Sequence, residues 1–376
     1  MRPEPIIYYY GEGGVQVNKE VISEKQGIYL ITLFIVAETF ILTRGMEAKK
    51  DFWIAIILGI IISIPFMLMF SRLHRLYPNK DLFDINEDVF GKILGKIISF
   101  LMFYYVATNM MSVMYVFNDF IVSVSLLKTP KGVTYMSLTL LCIWVVKEGI
   151  EVMAKWTEII LPIILITLFV GVVLLIPQMR LVNMQPFFTE KIGAIMEGSI
   201  FTFLFPLSET IAFTMIFTGL KKQGSFNRLY LIGLIFGGGL ILILVLTEVL
   251  VLGVNDTLSF YFPGYNTFTR VNIGVLLQRL EIISGATFLL GGFIKISVLL
   301  MAVSRGVAKV FNFNDYRFIV TPTALIISNV SYFFYESTMF MFEWISDFWG
   351  YFAFPFEFVM PIVIWIGAEV RKKIKA

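Results

Sequence analysis

Cysteine and histidine are almost missing from this sequence: Cys142 is the single thiol and His74 the single imidazole among 376 residues. A lone cysteine excludes a disulfide framework and a thiolate metal site. A lone histidine, set in a basic stretch that reads as a loop, leaves no histidine-based metal or triad chemistry. No metal, no cofactor and no catalytic residue is therefore expected, and a membrane enzyme is set aside for want of a nucleophile–base set. Charge is scarce too. Only 15% of residues are charged, against roughly a quarter in ordinary soluble domains. The net charge of +3 is small, and no basic stripe suited to nucleic acid is present.

What the chain has in abundance is apolar sequence, 58% of its residues, in blocks rather than in periodic stripes. Uncharged runs occupy 52–70, 97–118, 159–179, 229–247 and 318–335. Each approaches or exceeds the roughly 18 residues that mark a membrane-spanning helix. A spanning segment must satisfy its backbone internally, so the runs are helices. The expected fold is an all-α polytopic membrane protein of ten spans, at about 27–46, 52–71, 95–120, 133–148, 157–178, 193–220, 229–253, 279–304, 317–336 and 348–369. These form one transmembrane domain over 26–370. It is flanked by a polar N-terminal tail, 1–25, that lacks the apolar core of a cleaved signal peptide, and by a basic C-terminus, 371–376.

Of the 30 lysines and arginines, roughly two thirds fall on the loops that share a side with the N-terminus, which puts both termini in the cytoplasm. Both termini on one side require an even number of spans. In this count Arg44 belongs to an outer loop, and Glu248 lies near a span end, where it can snorkel to water.

Four charges sit near mid-helix: Glu38, Glu209, Lys295 and Glu357. Counted at about 1.5 Å per residue, all four fall in one layer near the bilayer midplane. A charge at that depth costs about 2.5–3.5 kcal/mol on insertion and usually faces a cavity or a partner. The plainer reading is that each bonds a neighbouring helix and holds the bundle together. Glu209 carries extra weight from its setting, Phe205-Pro206-Leu207-Ser208-Glu209-Thr210. Proline removes a backbone donor and clashes with the preceding turn, so the sixth span is expected to break there. The freed backbone groups and a half-helix N-terminus would suit a carboxylate or another small anion; a kink repaired by neighbours is the alternative. Tyr104, Thr108 and Asn109 on the third span are candidate cavity residues or interhelical hydrogen bonders. Gly233-x-x-x-Gly237 and Gly291-Gly292 read as close-packing seams.

Several segments then resemble, in order and spacing, one known family. They are Ser23-Glu24-Lys25-Gln26, Gly45-Met46-Glu47-Ala48-Lys49-Lys50-Asp51-Phe52-Trp53, Tyr77-Pro78-Asn79-Lys80-Asp81-Leu82 and Gly149-Ile150-Glu151-Val152-Met153-Ala154-Lys155 with Glu158 and Pro162. Phe205-Pro206-Leu207-Ser208-Glu209, Arg279-Leu280-Glu281 and Phe293-Ile294-Lys295-Ile296 complete the set. From about Ser23 to Lys373 the chain resembles the spore germination permeases, the membrane-embedded B subunits of nutrient germinant receptors in the amino acid–polyamine–organocation superfamily. The resemblance implies a five-plus-five inverted repeat with broken helices 1 and 6 around a midplane site, a plan common to transporters. It implies a site lined by the first, third, sixth and eighth spans: Ala37, Glu38, Thr39, Tyr104, Thr108, Asn109, Phe205, Pro206, Ser208 and Glu209. Lys295 and Glu209 are the candidates for ion or proton coupling. Ala37-Glu38-Thr39 stand where the family usually carries glycine or other small residues, which eases unwinding less. Glu38 either receives a ligand amine or pairs with Lys295, whose ammonium could replace a coupling sodium ion.

The resemblance implies a nutrient-sensing subunit in the spore inner membrane. An amino acid or similar small metabolite would bind the central cavity, and partner subunits (a large membrane subunit with a soluble domain, and a lipoprotein) would transmit germination. A proton-coupled amino acid permease is the alternative.

Overall fold

The computed structural model describes residues 21–220, 225–271 and 280–375. Residues 1–20 of the expected tail, and Lys221, Lys222 and Arg279, lie outside the described residues. Helix occupies at least part of each of the ten expected segments. Among the described residues, eight helices are long and apolar enough to cross a membrane. The other two segments are the first, whose α-helical part α1 (Glu24–Val36) has 13 residues, and the fourth, Lys131–Glu148. In chain order the elements are α1, α2 (Phe52–Leu76), α3 (Leu82–Phe90), α4 (Lys92–Phe120), α5 (Lys131–Glu148) and α6 (Ile150–Leu175). Then follow α7 (Ile192–Thr202), α8 (Ala212–Ile216), α9 (Phe226–Leu252), α10 (Val254–Ser259) and α11 (Pro263–Phe268). The chain closes with α12 (Leu280–Phe311), α13 (Arg317–Phe334), α14 (Thr338–Glu343), α15 (Gly350–Phe354) and α16 (Met360–Lys375).

Two spans begin earlier than the hydropathy blocks predict. The fifth starts at Ile150 rather than near 157 because Glu151, Lys155 and Glu158 line an exposed face while Met153, Ala154 and Thr157 are buried. The tenth starts at Thr338 rather than near 348. There Met341, Ile345, Trp349 and Ala353 are buried at four-residue spacing, the signature of one helical face.

The first and sixth spans are both interrupted. A capping box starts α1: the Gln26 amide donates to Ser23 Oγ (3.2 Å) and the Ser23 amide to Gln26 Oε1 (2.9 Å). Past Val36 the α-helix gives way to turns, with the Leu42 amide bonded to the Glu38 carbonyl at 2.8 Å. The segment closes at Gly45, whose φ of 72° is open to glycine at no steric cost. In the sixth span Phe205 leaves helical geometry (φ −146°, ψ 108°), since the ring of Pro206 drives the residue before it into the extended region. Tight turns at Ser208–Ile211 follow before α8.

The packing repeats across the two halves. If each span is exchanged for the one five positions away, several of the main pairings map onto one another. The first packs on the seventh as the sixth packs on the second, and the third packs on the ninth as the eighth packs on the fourth. Second with seventh, third with eighth and fourth with ninth pair with themselves. This is the expected inverted repeat. Glycine seams allow the close approach, as predicted for Gly233 and Gly237: a Cβ there would meet Ile31 and Ile35 of α1 at 2.6 and 2.8 Å. Gly264 of α11 lies tighter still, with a Cβ 2.3 Å from the Phe40 carbonyl oxygen in the first break.

Backbone cannot yield as a flexible side chain can. Gly264→Ala is therefore expected to lower stability by about 1–3 kcal/mol. Gly239→Ala, with nothing within 4 Å of the new atom, serves as the neutral control, and thermal unfolding of the purified proteins compares the two.

Candidate functional site

Between the two interruptions lies Lys295, on the eighth span and fully buried. Its ammonium donates to Glu38 Oε2 and to Glu209 Oε2, both at 2.6 Å. One cation thus joins the first break, the sixth break and the eighth span. Of the two roles considered for Glu38, the structure has the pairing. The rings of Phe34 and Phe205 flank the ammonium, at 4.7 and 5.4 Å from their centroids. A second cation stands beside the first: the Arg44 guanidinium stacks on Phe205 at 3.8 Å, and its Nη2 is 3.9 Å from Glu38 Oε2. A further carboxylate, Glu357 of the tenth span, accepts hydrogen bonds from Ser208 Oγ at 2.5 Å and from the Tyr105 hydroxyl. The sixth break is thereby tied to the third and tenth spans as well.

The cluster is buried and incompletely bonded. Glu209 Oε1 and Thr39 Oγ1 are buried with no hydrogen-bond partner. Burying a polar group without a partner costs about 1–3 kcal/mol, so each is a point where an incoming polar group gains binding.

Of the residues predicted from sequence, the structure brings Ala37, Glu38, Thr39, Phe205, Pro206, Ser208, Glu209 and Lys295 into the buried region around the two breaks. Asn109 is buried on the third span. Tyr104 and Thr108 require correction. Tyr104 is 49% exposed and its ring meets Phe352 edge-on. Thr108 is half-buried and donates to the Tyr104 carbonyl of its own helix at 3.1 Å. The reason is register: Tyr105 and Asn109, four residues apart, share the inward face, which turns 104 and 108 about 100° away.

Three other assignments change. Arg44, counted in an outer loop, is 1% exposed. Glu248, placed at a span end, is buried and accepts from Thr43 Oγ1 at 2.7 Å. His74, placed in a loop, lies on α2, stacked on Phe226 and in hydrogen-bond contact with the Tyr230 hydroxyl at 3.1 Å. The anion site expected at a half-helix N-terminus also fails, because α8 has only 5 residues and carboxylates crowd the break. Sequence reasoning missed Tyr105, Thr43 and the place of Arg44. A signal for Tyr105 existed in its four-residue spacing to Asn109.

Comparison with known proteins agrees with this architecture. A family model described as spore germination protein matches residues 21–339. Spore germination protein KB of Bacillus subtilis (strain 168) is 26% identical over 364 residues, covering 95% of this chain and 97% of that protein. The putative spore germination protein YfkT of the same organism is 24% identical over 294 residues, 78% of this chain and 80% of that one. Spore germination protein XB of Bacillus anthracis is 20% identical over 261 residues, 68% and 72% of the two chains. Among solved structures, the nucleobase-cation-symport-1 family transporter Mhp1, closed with bromovinylhydantoin bound, superposes with a TM-score of 0.62 at 10% identity, covering 95% of this chain and 91% of that one. A mutant manganese transporter of Eremococcus coleocola gives 0.63 at 13% identity, with 94% and 85% covered. The fold is that of such transporters.

Removing one partner of a buried ion pair strands the other charge. Lys295→Met is expected to cost about 3–5 kcal/mol. The double variant Lys295→Met with Glu38→Gln should lose less than the two single losses added. Thermal unfolding of all three variants measures the coupling, and strict additivity would mean the contact carries nothing.

Proposed function

This chain belongs to the spore germination protein family, and from that premise we propose that it is the nutrient-sensing membrane subunit of a germinant receptor. It is a germination-related integral membrane protein with a transporter's fold, and its structural neighbours are transporters rather than enzymes. In the proposed reading an amino acid or similar small metabolite settles between the broken first and sixth spans. The observation that supports this is the Lys295 bridge to Glu38 and Glu209 across three spans. A ligand ammonium could substitute for that of Lys295 at either carboxylate. A ligand changes the balance of two conformations only through different affinity for each, and such an exchange of partners supplies the difference. Partner subunits, a large one with a soluble domain and a lipoprotein, would relay the change, with both termini of this chain in the cytoplasm and the protein in the spore inner membrane.

A proton-coupled amino acid permease is the second reading, favoured by the likeness to transporters. Buried acid–lysine clusters are also the usual material of proton relays.

Spores carrying Glu38→Leu, challenged with amino acids, sugars and nucleosides, should need about tenfold more nutrient for half-maximal germination, equivalent to about 1.4 kcal/mol. An unchanged response removes Glu38 from nutrient sensing. Uptake of labelled amino acid into proteoliposomes, driven by a pH gradient, is expected of the permease and not of the receptor.

A further inference from the structure

A cavity of about 290 Å³ opens where the first span ends, at the far end of that segment from Glu24. Leu42, Phe201, Phe342 and Ile345 contribute apolar walls, and Arg44 and Glu47 also line it. These two are its charged groups, and both are underused. Arg44 is 1% exposed, and its Nη1 donates weakly to the Thr43 carbonyl at 3.3 Å. Nε and Nη2 have no hydrogen-bond partner; the nearest anion to Nη2 is the loosely paired Glu38 at 3.9 Å. Nε and Nη2 form one edge of the guanidinium fork, the geometry that receives a carboxylate through two parallel bonds. Glu47 Oε2 is likewise buried without a partner. It faces Gly198 of the sixth span, where even a Cβ would come within 3.3 Å. Arg44 and Glu47 influence one another electrostatically, yet no salt bridge joins them.

Opposite charges that share a cavity without pairing suit a molecule that carries both signs. We propose that this cavity is the capture site for a free α-amino acid, whose carboxylate takes the Nε–Nη2 edge of Arg44 and whose ammonium takes Glu47. The inference rests on the reading that nutrient binding acts on the central cluster, and it names both the ligand class and the route. Arg44 is the shared part. A ligand carboxylate that claims its free edge competes with Glu38, and Glu38 is one of the two carboxylates that hold Lys295. Because that edge is closed off from solvent, it can be reached only as the floor of the cavity opens, so occupancy favours the opened arrangement.

The test is thermal unfolding of the purified full chain in lipid nanodiscs against the twenty amino acids, each beside its C-terminal amide and its N-acetyl derivative. Binding to the folded state raises the midpoint by mass action. At least one free amino acid should stabilise the protein, while its amide and its N-acetyl form, each lacking one of the two charges, should not. Arg44→Lys keeps the charge but removes the fork, and should weaken apparent affinity about tenfold or more. Ser346→Trp, at an exposed position on the cavity wall, should block binding without touching a buried charge. The proposal is overturned if no amino acid stabilises, if an amide binds as well as its parent acid, or if both variants leave binding unchanged. Lys295→Met separates the two sites. Binding lost in Lys295→Met but kept in Arg44→Lys and Ser346→Trp leaves the central reading and sinks this one. Binding kept in Lys295→Met but lost in the other two does the reverse.

Discussion

An ammonium buried among hydrocarbon side chains must be met by negative charge, and the architecture around Lys295 follows from that demand. Two carboxylates reach it at 2.6 Å from opposite breaks. Regular helices would deliver their side chains along a surface, whereas the turns after Val36 and after Phe205 bring Glu38 and Glu209 to one point. The breaks expose backbone at depth, which is tolerated only where protein covers it. The buried contacts of the seventh, eighth and tenth spans provide the cover. Glycines at 233 and 237 let α9 lie against α1, and Gly291 brings the eighth span to 3.5 Å of Ala37 (measured from an added Cβ).

Hydropathy blocks and stranded charges make the membrane class and four of the central residues, Glu38, Glu209, Lys295 and Glu357, legible in the sequence itself. Pro206 makes the sixth break legible because its steric effect is local. Arg44 and Glu248 are not legible in this way: counting along an ideal helix misplaces Arg44, and Glu248 lies near the end of α9 as counted but meets Thr43 rather than water. The first span stops being regular α-helix at Val36, so a count along an ideal helix no longer places residues 37–45, and Arg44 ends inside. Tyr104 and Thr108 fail for another reason: composition names the right helix, but a one-residue error in register rotates the chosen face away from the site. Charged residues at the start of the fifth span conceal a helix whose other face is buried. In each case the information lies in packing between segments far apart in the chain.

The inverted repeat shows the same division. The two halves share span pairings but not the chemistry of their interruptions. The first break closes on a left-handed glycine, Gly45, whereas the sixth is made by a proline. Equivalent geometry reached through different residues leaves no internal sequence similarity to detect. What the halves hold in common is the arrangement of interfaces, and only the folded chain displays it.

The charge balance of the buried region sets a direction for its chemistry. Glu38, Glu209, Glu248 and Glu357 are buried, with Lys295 and Arg44 as the cations among them. Hydroxyl donors from Tyr105, Ser208 and Thr43 relieve Glu357 and Glu248, and Glu209 keeps one oxygen unbonded. A region rich in acceptors and poor in cations gains most from a ligand that brings positive charge, whether an ammonium or a proton. Receptor and permease readings therefore call for the same cluster. They differ in the consequence of occupancy. A permease must open each end in turn. A receptor needs only one rearrangement to become more favourable than it was, and in the proposed reading an exchange of partners at Lys295 supplies it.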